Sequence, residues 1–382
     1  MRAIYTTALS GFVLAVGLLG WTPPSAGKST VDEITACIEE KDDARAFAIC
    51  DAVLNVGGLS DLERGLALMG RGFVLSRMKK CDQAIVDFNA ALPLFEEKDL
   101  VYTSRGACYR DMGDVEHAVA DFDTAIAVDP EDASNYTARA IFYLDTSKSD
   151  RALADFDKAL TLERDSVMAH HGRAVAYTQK GDNDAALAAV SAAVRLEPKN
   201  ADLYQFRAEI ELLNGQSLAA ASDAEKAIVL EPESVINHLT RAAALFVDGD
   251  YLHAVKDAEE GARRNPRNAL AQLWIALLNG RLQNRAAPPE ETSKDMDAAS
   301  WPASILRLYQ GKGGEQEVRA EIDASDAGDR RTRACEADFY LAEWDRNQGR
   351  TEAARQKLER VRDTCPIEQL VRALAIVELR RL

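Results

Sequence analysis

The chain has 382 residues, 47% of them hydrophobic and 28% charged, which is enough apolar material for a packed core and excludes general disorder. Its formal net charge is −16, and so acidic a chain is repelled by phosphate backbones and anionic lipid, which argues against nucleic-acid binding. Aromatic residues make up only 7%, and Ala, Leu, Glu and Arg prevail over β-branched residues, which favours helices over sheet.

Residues 1–27 have the features of a signal peptide. Arg2 gives a positive start, residues 8–20 form an apolar run without charge, and residues 25–27 are small enough for cleavage. The run is shorter than the ~20 residues that span a bilayer, so cleavage is favoured over an uncleaved membrane anchor. The first cysteine is Cys37, so we expect no lipid at the mature N-terminus. We expect an exported protein, periplasmic or secreted, with no integral membrane span after signal removal.

Residues 31–64 have the length of a repeat but match its pattern poorly. Residues 34–40 and 44–54 read as a helix pair, and stacked repeats need such an atypical unit at their ends. We therefore predict a degenerate N-terminal helical cap.

A period of 34 residues organises the next part of the chain. Pro130, Pro198, Pro232 and Pro266 are separated by multiples of 34, and Arg164 occupies the missing slot. Small residues stand at positions 8, 20 and 27 of each unit, which allows two antiparallel helices to approach within ~8–10 Å. Proline at position 32 ends the second helix. The six units are residues 65–98, 99–132, 133–166, 167–200, 201–234 and 235–268.

This pattern resembles the tetratricopeptide-repeat (TPR) family. The resemblance implies an all-α fold, a TPR α-solenoid in which antiparallel helix pairs form a right-handed superhelix. We expect the solenoid to span residues 65–282, with residues 269–282 as a half repeat, and to be followed by a degenerate C-terminal helical region. Members of this family use such arrays to hold other proteins.

The end of the chain is less regular. Residues 283–300 contain Pro288-Pro289 and read as a linker, and residues 301–382 read as a C-terminal helical region with a TPR-like unit at 335–366 and a terminal helix. The stretch from Cys335 to Trp344, the pair Cys365-Pro366 and the ending 378–382 resemble exported bacterial TPR proteins related to new lipoprotein I. Unlike that group, the chain has no lipidation cysteine.

An arginine occupies position 7 of all six units, and an aspartate occupies position 23 of five. We interpret the pairs as a ladder of partly buried ion pairs, in preference to an anion-binding row of arginines, because the two residue types recur together. Arg173 faces Ala189 and lacks the expected carboxylate.

Six cysteines in an exported chain suggest disulfides. The midpoints of three pairs fall on predicted turns, and residues equidistant from the turn of a helix hairpin lie level with each other. We therefore favour three bridges over six buried thiols: Cys37-Cys50, Cys81-Cys108 and Cys335-Cys365.

No catalytic, metal or cofactor motif is present. The chain lacks HExxH, CxxC, G-x-S-x-G and Walker sequences, and its five histidines follow the repeat pattern. We therefore expect no enzyme, no metal and no cofactor.

The TPR resemblance implies that positions 2, 5, 9 and 12 of each first helix line a concave groove. This groove is mostly apolar and suits an extended segment or a helix of a protein or peptide partner, although the chain's own C-terminal region is the alternative occupant. The residues are Met69, Phe73, Thr103, Arg110, Thr137, Ile141, Met168, His171, Val175, Gln205, Glu209, Leu239 and Phe246.

The favoured function is thus a non-enzymatic scaffold or adaptor that binds its partner in this groove. Two alternatives stay open: a structural component of an envelope secretion or assembly complex that acts through its outer face, and an enzyme with an unrecognised site.

Overall fold

The computed structural model describes residues 30–282 and 301–382, so the predicted signal peptide and linker lie outside the described residues. Within those two ranges there are 20 α-helices, one short 3-10 helix at Leu92–Leu94 and no strand. The predicted all-α fold is confirmed. The chain divides into two compact units, one ending at Arg164 and the other beginning at Asp165.

The N-terminal unit consists of helices that pack as successive antiparallel pairs. They are α1 (Thr30–Glu39), α2 (Asp43–Leu54), α3 (Asp61–Arg77), α4 (Cys81–Ala91), α5 (Asp99–Asp111), α6 (Val115–Val128), α7 (Ala133–Asp145) and α8 (Ser149–Leu162).

The C-terminal unit continues the pairs and ends in six helices of less regular length. Its helices are α9 (Val167–Lys180), α10 (Asn183–Leu196), α11 (Ala201–Leu213), α12 (Ser217–Leu230), α13 (Val235–Asp248), α14 (Tyr251–Arg264), α15 (Ala269–Arg281), α16 (Ala303–Tyr309), α17 (Glu315–Asp323), α18 (Ala327–Asn347), α19 (Thr351–Thr364) and α20 (Leu370–Arg381).

Small and aromatic side chains pack each helix pair as the period predicts. Phe88, Phe122 and Phe156 are fully buried, and a Cβ added at Gly72 would lie 2.6 Å from the Phe88 ring. Gly181 ends α9 in the left-handed conformation, with φ of 75°, which lets the chain turn into the second helix of its pair.

The predicted ion-pair ladder is present in both units. In each pair the guanidinium holds both oxygens of the aspartate, and the side-chain hydrogen bond raises the pKa of the arginine. Ala189 supplies no carboxylate to Arg173, whose guanidinium lies 5.8 Å from the Tyr177 ring centroid. The pairs are Arg71–Asp87, Arg105–Asp121, Arg139–Asp155, Arg207–Asp223 and Arg241–Asp257.

Four of these five arginines also reach the preceding helix pair, a contact that the 34-residue pattern does not predict. Arg139 Nη1 lies 2.6 Å from Asp123 Oδ1, and Arg207 Nη1 donates to Ser191 Oγ at 3.3 Å. Asp123 and Ser191 each stand 16 positions before the arginine that they contact. The ladder therefore ties neighbouring repeats together as well as the two helices of one repeat.

Two of the three proposed disulfides are formed. Cys37–Cys50 joins α1 to α2 and Cys335–Cys365 joins α18 to the end of α19, with Cα atoms 5.4 and 5.8 Å apart. The third prediction is wrong, because Cys81 and Cys108 are buried free thiols. Burial raises the pKa of Cys108 to about 12, so the thiolate that disulfide exchange requires is scarcely formed.

The mass of the protein tests this pairing. We expect reduction to add four hydrogen masses, two for each of the two bridges. Alkylation without reduction should label Cys81 and Cys108 only after unfolding, because both thiols are buried. A gain of six hydrogens, or of none, would contradict the assignment.

The C-terminal region shares a core with the last repeats. The Phe246 ring lies 5.7 Å from the Trp274 ring and 6.5 Å from the Phe339 ring, with edge-to-face geometry in both cases. Residues of α11 through α20 contribute to one apolar cluster. The region that the sequence separates by a linker is therefore packed onto the repeats that precede it.

Candidate functional site

In the N-terminal unit, most of the predicted groove residues are part of the fold's interior. Met69 is buried against α1 in the core that contains Ile34 and Cys37, and Phe73 packs edge-on against Phe88 at 5.7 Å. Their burial follows from the cap helices, which cover the first helix of repeat one. These positions are core residues, not groove residues.

The two predicted threonines in this unit are also buried. Thr103 donates through Oγ1 to Asn135 Oδ1 at 2.9 Å, and Thr137 donates to the Ala133 carbonyl of its own helix at 3.0 Å. Their hydroxyls are thus satisfied within the fold.

Arg110 and Ile141 are the predicted positions of this unit that keep partial exposure. Arg110 Nη2 donates to Asp111 Oδ1 at 2.8 Å, and its Nε lies 3.5 Å from Asp145 Oδ2. Ile141 is an apolar, partly exposed residue of α7. It precedes Asp145 by four residues in the same helix, and Asp145 belongs to the charged network around Arg110.

In the C-terminal unit, Met168, His171 and Val175 are half-buried on α9. The His171 ring meets the Phe206 ring of α11 at 5.0 Å, and burial lowers the pKa of His171. Burial thus favours the neutral form of His171, and the face that it shares with Met168 and Val175 is largely apolar.

The terminal helix α20 covers the equivalent positions of repeats five and six. It packs against α11, and Leu239 and Phe246 are buried in the core that α20 completes. The alternative that the chain's own C-terminal region fills part of the groove is correct for these positions. Phe246, with 0% exposure, is a core residue, and an acidic substitution there would test stability instead of binding.

Charged residues fix α20 in place. Arg381 donates to the Phe246 carbonyl at 3.0 Å and to the Val247 carbonyl at 2.5 Å, at the end of α13. Glu378 pairs with Arg281 of α15 and Arg346 of α18. These cations satisfy the carboxylate and the helix-end carbonyls, so α20 is bound by polar contacts as well as by packing.

A cavity of about 170 Å³ lies between the repeat helices and α20. Repeat six contributes side chains from positions 2, 5, 6 and 9 of its first helix, which is the face predicted to bind a partner. The lining residues are Glu209, Ile236, Leu239, Thr240, Ala243, Leu270, Trp274, Thr332, Glu336, Tyr340, Gln369, Leu370, Val371 and Leu374.

Glu209 is the main polar group of this cavity. It accepts a hydrogen bond from Gln205 Nε2 at 2.5 Å, and desolvation by burial raises its pKa to about 7. The two predicted groove residues are thus brought together, and the carboxyl of Glu209 faces a mostly apolar surrounding.

Comparison with known proteins identifies the repeat. The family model for the tetratricopeptide repeat matches residues 109–167, 137–201 and 171–234 in overlapping copies. Residues 109–234 of the chain therefore consist of tetratricopeptide repeats. A comparison with curated proteins found no match.

Solved TPR structures share the fold. PilW, described as a widely conserved type IV pilus biogenesis factor, is 17% identical, and the match covers 55% of this chain and 96% of PilW with a TM-score of 0.50. A TPR protein from Parabacteroides merdae is 20% identical over 65% of this chain and 97% of its own, with a TM-score of 0.48. At these identities the likeness to PilW is one of fold.

The described part of this TPR protein contains no group of three or more His, Cys, Asp or Glu residues arranged to hold a metal ion. None of its described helices is long and apolar enough to cross a membrane.

The repeat pattern does not indicate several residues of the cavity. Trp274, Gln369 and Leu370 lie outside the six repeats, where the 34-residue register gives no guidance. The spacing of Leu370 and Leu374 on one face of the terminal helix was the available signal.

Titration of Glu209 predicts a pH dependence of stability. Its folded pKa of about 7 exceeds the usual 4.5, so its contribution to stability is fully present below pH 4.5 and is lost as pH rises through 7. Glu209→Gln lacks this titration. As pH rises from about 5 to about 8, wild type should lose about 1–3 kcal/mol of free energy of unfolding that the variant does not lose. Urea denaturation at several pH values measures this, and parallel pH profiles for the two proteins would refute it.

Proposed function

We propose that this TPR protein is a non-enzymatic adaptor that holds a segment of a protein partner on the first-helix face of repeat four, in its C-terminal unit. One observation carries the proposal. First-helix positions are covered by the chain's own helices over Met69 in the N-terminal unit and over Phe246 in the C-terminal unit, whereas Met168, His171 and Val175 of α9 keep partial exposure. Those uncovered positions are mostly apolar, which suits an extended or helical segment.

We also propose that the protein is exported. The apolar run at residues 8–20 and the small residues at 25–27 support this, and two disulfides suit an oxidising compartment. Cell fractionation with N-terminal sequencing provides the test. A mature chain that begins after Ala26 or Gly27 outside the cytoplasm is expected, and a cytoplasmic chain that retains its start overturns the proposal.

A charge inserted on this first-helix face tests the adaptor function. Met168→Glu and Val175→Glu, made separately, should each reduce partner recovery from the exported fraction by about tenfold, because a buried unpaired carboxylate costs more than ~1.4 kcal/mol. Val229→Glu is the matched control, since Val229 is 73% exposed on α12, a second helix.

The three variants also separate the two non-enzymatic functions. Loss of capture by Val229→Glu, with Met168→Glu and Val175→Glu unaffected, would contradict binding at the first helix of repeat four and favour an assembly component that acts through its outer face. Thermal melting of each variant confirms that it remains folded.

A further inference from the structure

We propose that the cavity beside α20 receives a lysine or arginine side chain from the bound segment, with the aliphatic stem between Leu239 and Leu370 and the cationic head at Glu209. This inference rests on the proposed adaptor function and adds a specificity subsite to it. A basic side chain is amphipathic in this way, with an apolar stem and a charged end.

Charge complementarity is the first argument. Among the described residues, the cavity wall includes two carboxyl groups, Glu209 and Glu336, and no lysine or arginine. Glu336 accepts a hydrogen bond from Trp301 Nε1 at 2.6 Å and lies near Arg333. Within the described residues, Glu209 has only the neutral amide of Gln205 as its hydrogen-bond partner, so its charge meets no cation.

A second acceptor also lines the cavity. Gln369 donates through Nε2 to Thr332 Oγ1 at 3.1 Å, while its Oε1 is buried without a hydrogen-bond partner. A buried acceptor without a hydrogen-bond partner costs free energy. A ligand that carries hydrogen-bond donors would therefore be stabilised by Gln369 Oε1 and by the carboxyl group of Glu209. Lysine carries three donors and arginine five, and neither carries an acceptor.

The size and walls of the cavity agree with an organic stem. Its volume of about 170 Å³ far exceeds the ~10–15 Å³ that one water needs. Leu239, Leu370 and Leu374 supply apolar walls, and Trp274 and Tyr340 supply rings whose faces attract cations. A small metal ion would not fill the space between these apolar walls.

The position of the cavity favours a side chain of a bound segment. Its repeat wall is formed by Ile236, Leu239 and Ala243, at positions 2, 5 and 9 of repeat six. These are the positions that, on α9, leave Met168, His171 and Val175 partly exposed within the same compact unit. A segment bound along the first helices would therefore extend toward the cavity.

Peptide binding to the full mature chain tests the inference. The probe is an array of twelve-residue peptides of varied apolar sequence, each made with a central lysine, arginine or norleucine. Lysine and arginine members should bind about tenfold more tightly than their norleucine matches. Glu209→Gln should remove that preference, while Glu231→Gln, an equal charge change at an exposed site on the same unit, should retain it.

The outcomes separate the inference from the function on which it rests. Equal binding of norleucine and lysine peptides would overturn the basic subsite and leave the adaptor function standing. Failure of every peptide to bind would overturn both. Competition by free lysine amide at the concentration of the peptide would overturn the assignment to a partner segment, since a segment gains affinity from its other contacts.

Discussion

Replacing Arg281 with methionine should lower the free energy of unfolding by about 3–5 kcal/mol, because it leaves buried carboxylates without their cation. The Arg281 guanidinium lies between Glu343 and Glu378, and the side chains of the three residues are 5%, 0% and 0% exposed. They come from α15, α18 and α20, so the loss removes the link among three helices of the C-terminal unit. Urea denaturation near pH 8 measures the effect.

A compensating variant separates charge from packing. Burial raises the pKa of Glu343 to about 7. Ionisation of this carboxyl therefore destabilises the fold fully above pH 7, and the destabilisation is absent below its usual pKa of 4.5. The double variant Arg281→Met with Glu343→Gln removes one charge of each sign and should recover most of the loss. A single variant within about 1 kcal/mol of wild type would show that the cluster is unimportant for stability.

Replacing Arg139 with alanine is expected to destabilise the N-terminal unit by about 2–4 kcal/mol, somewhat below the value for a fully buried pair. Its guanidinium donates to both oxygens of Asp155 at 2.8 Å and to Asp123 at 2.6 Å. The side chain of Asp155 is only 9% exposed, so removal of the arginine leaves a buried carboxylate uncompensated. Calorimetric melting provides the measurement.

Arg45→Ala is the control for this prediction. Arg45 pairs with Asp42, but its side chain is 73% exposed, so its loss should change the free energy of unfolding by no more than about 0.5 kcal/mol. The alternative of an anion-binding arginine row makes the opposite prediction for Arg139→Ala. An unchanged melting temperature together with a lost anion would support that alternative and contradict ours.

The repeat packing is predictable from the sequence because one arrangement of residues recurs every 34 positions. Phe88, Phe122 and Phe156 fill the same gap beside the same small residues, so a single physical argument accounts for each helix pair. The arginine ladder follows for the same reason. Its extension to the preceding repeat was missed because Asp123 and Ser191 share a position but not a residue type.

The site is less predictable because it depends on contacts between distant parts of the chain. The 34-residue register predicts that Phe246 lines the groove, yet Phe339 and Arg381 cover it. No local sequence pattern predicts that contact. Arg281 and Glu378 are 97 residues apart, and neither belongs to the six repeats. The even number of cysteines similarly suggested a third bridge, but it did not show that Cys81 and Cys108 are buried free thiols.

Photo-crosslinking in living cells tests most directly whether repeat four holds a protein partner. A benzophenone amino acid placed separately at Met168, Val175 and Val229 samples two partly exposed first-helix positions and one exposed second-helix position. We predict that the probes at Met168 and Val175 join the same partner protein and that the probe at Val229 joins none. Crosslinks from Val229 alone, with none from the two first-helix positions, would contradict the proposal that the first-helix face of repeat four is the binding surface.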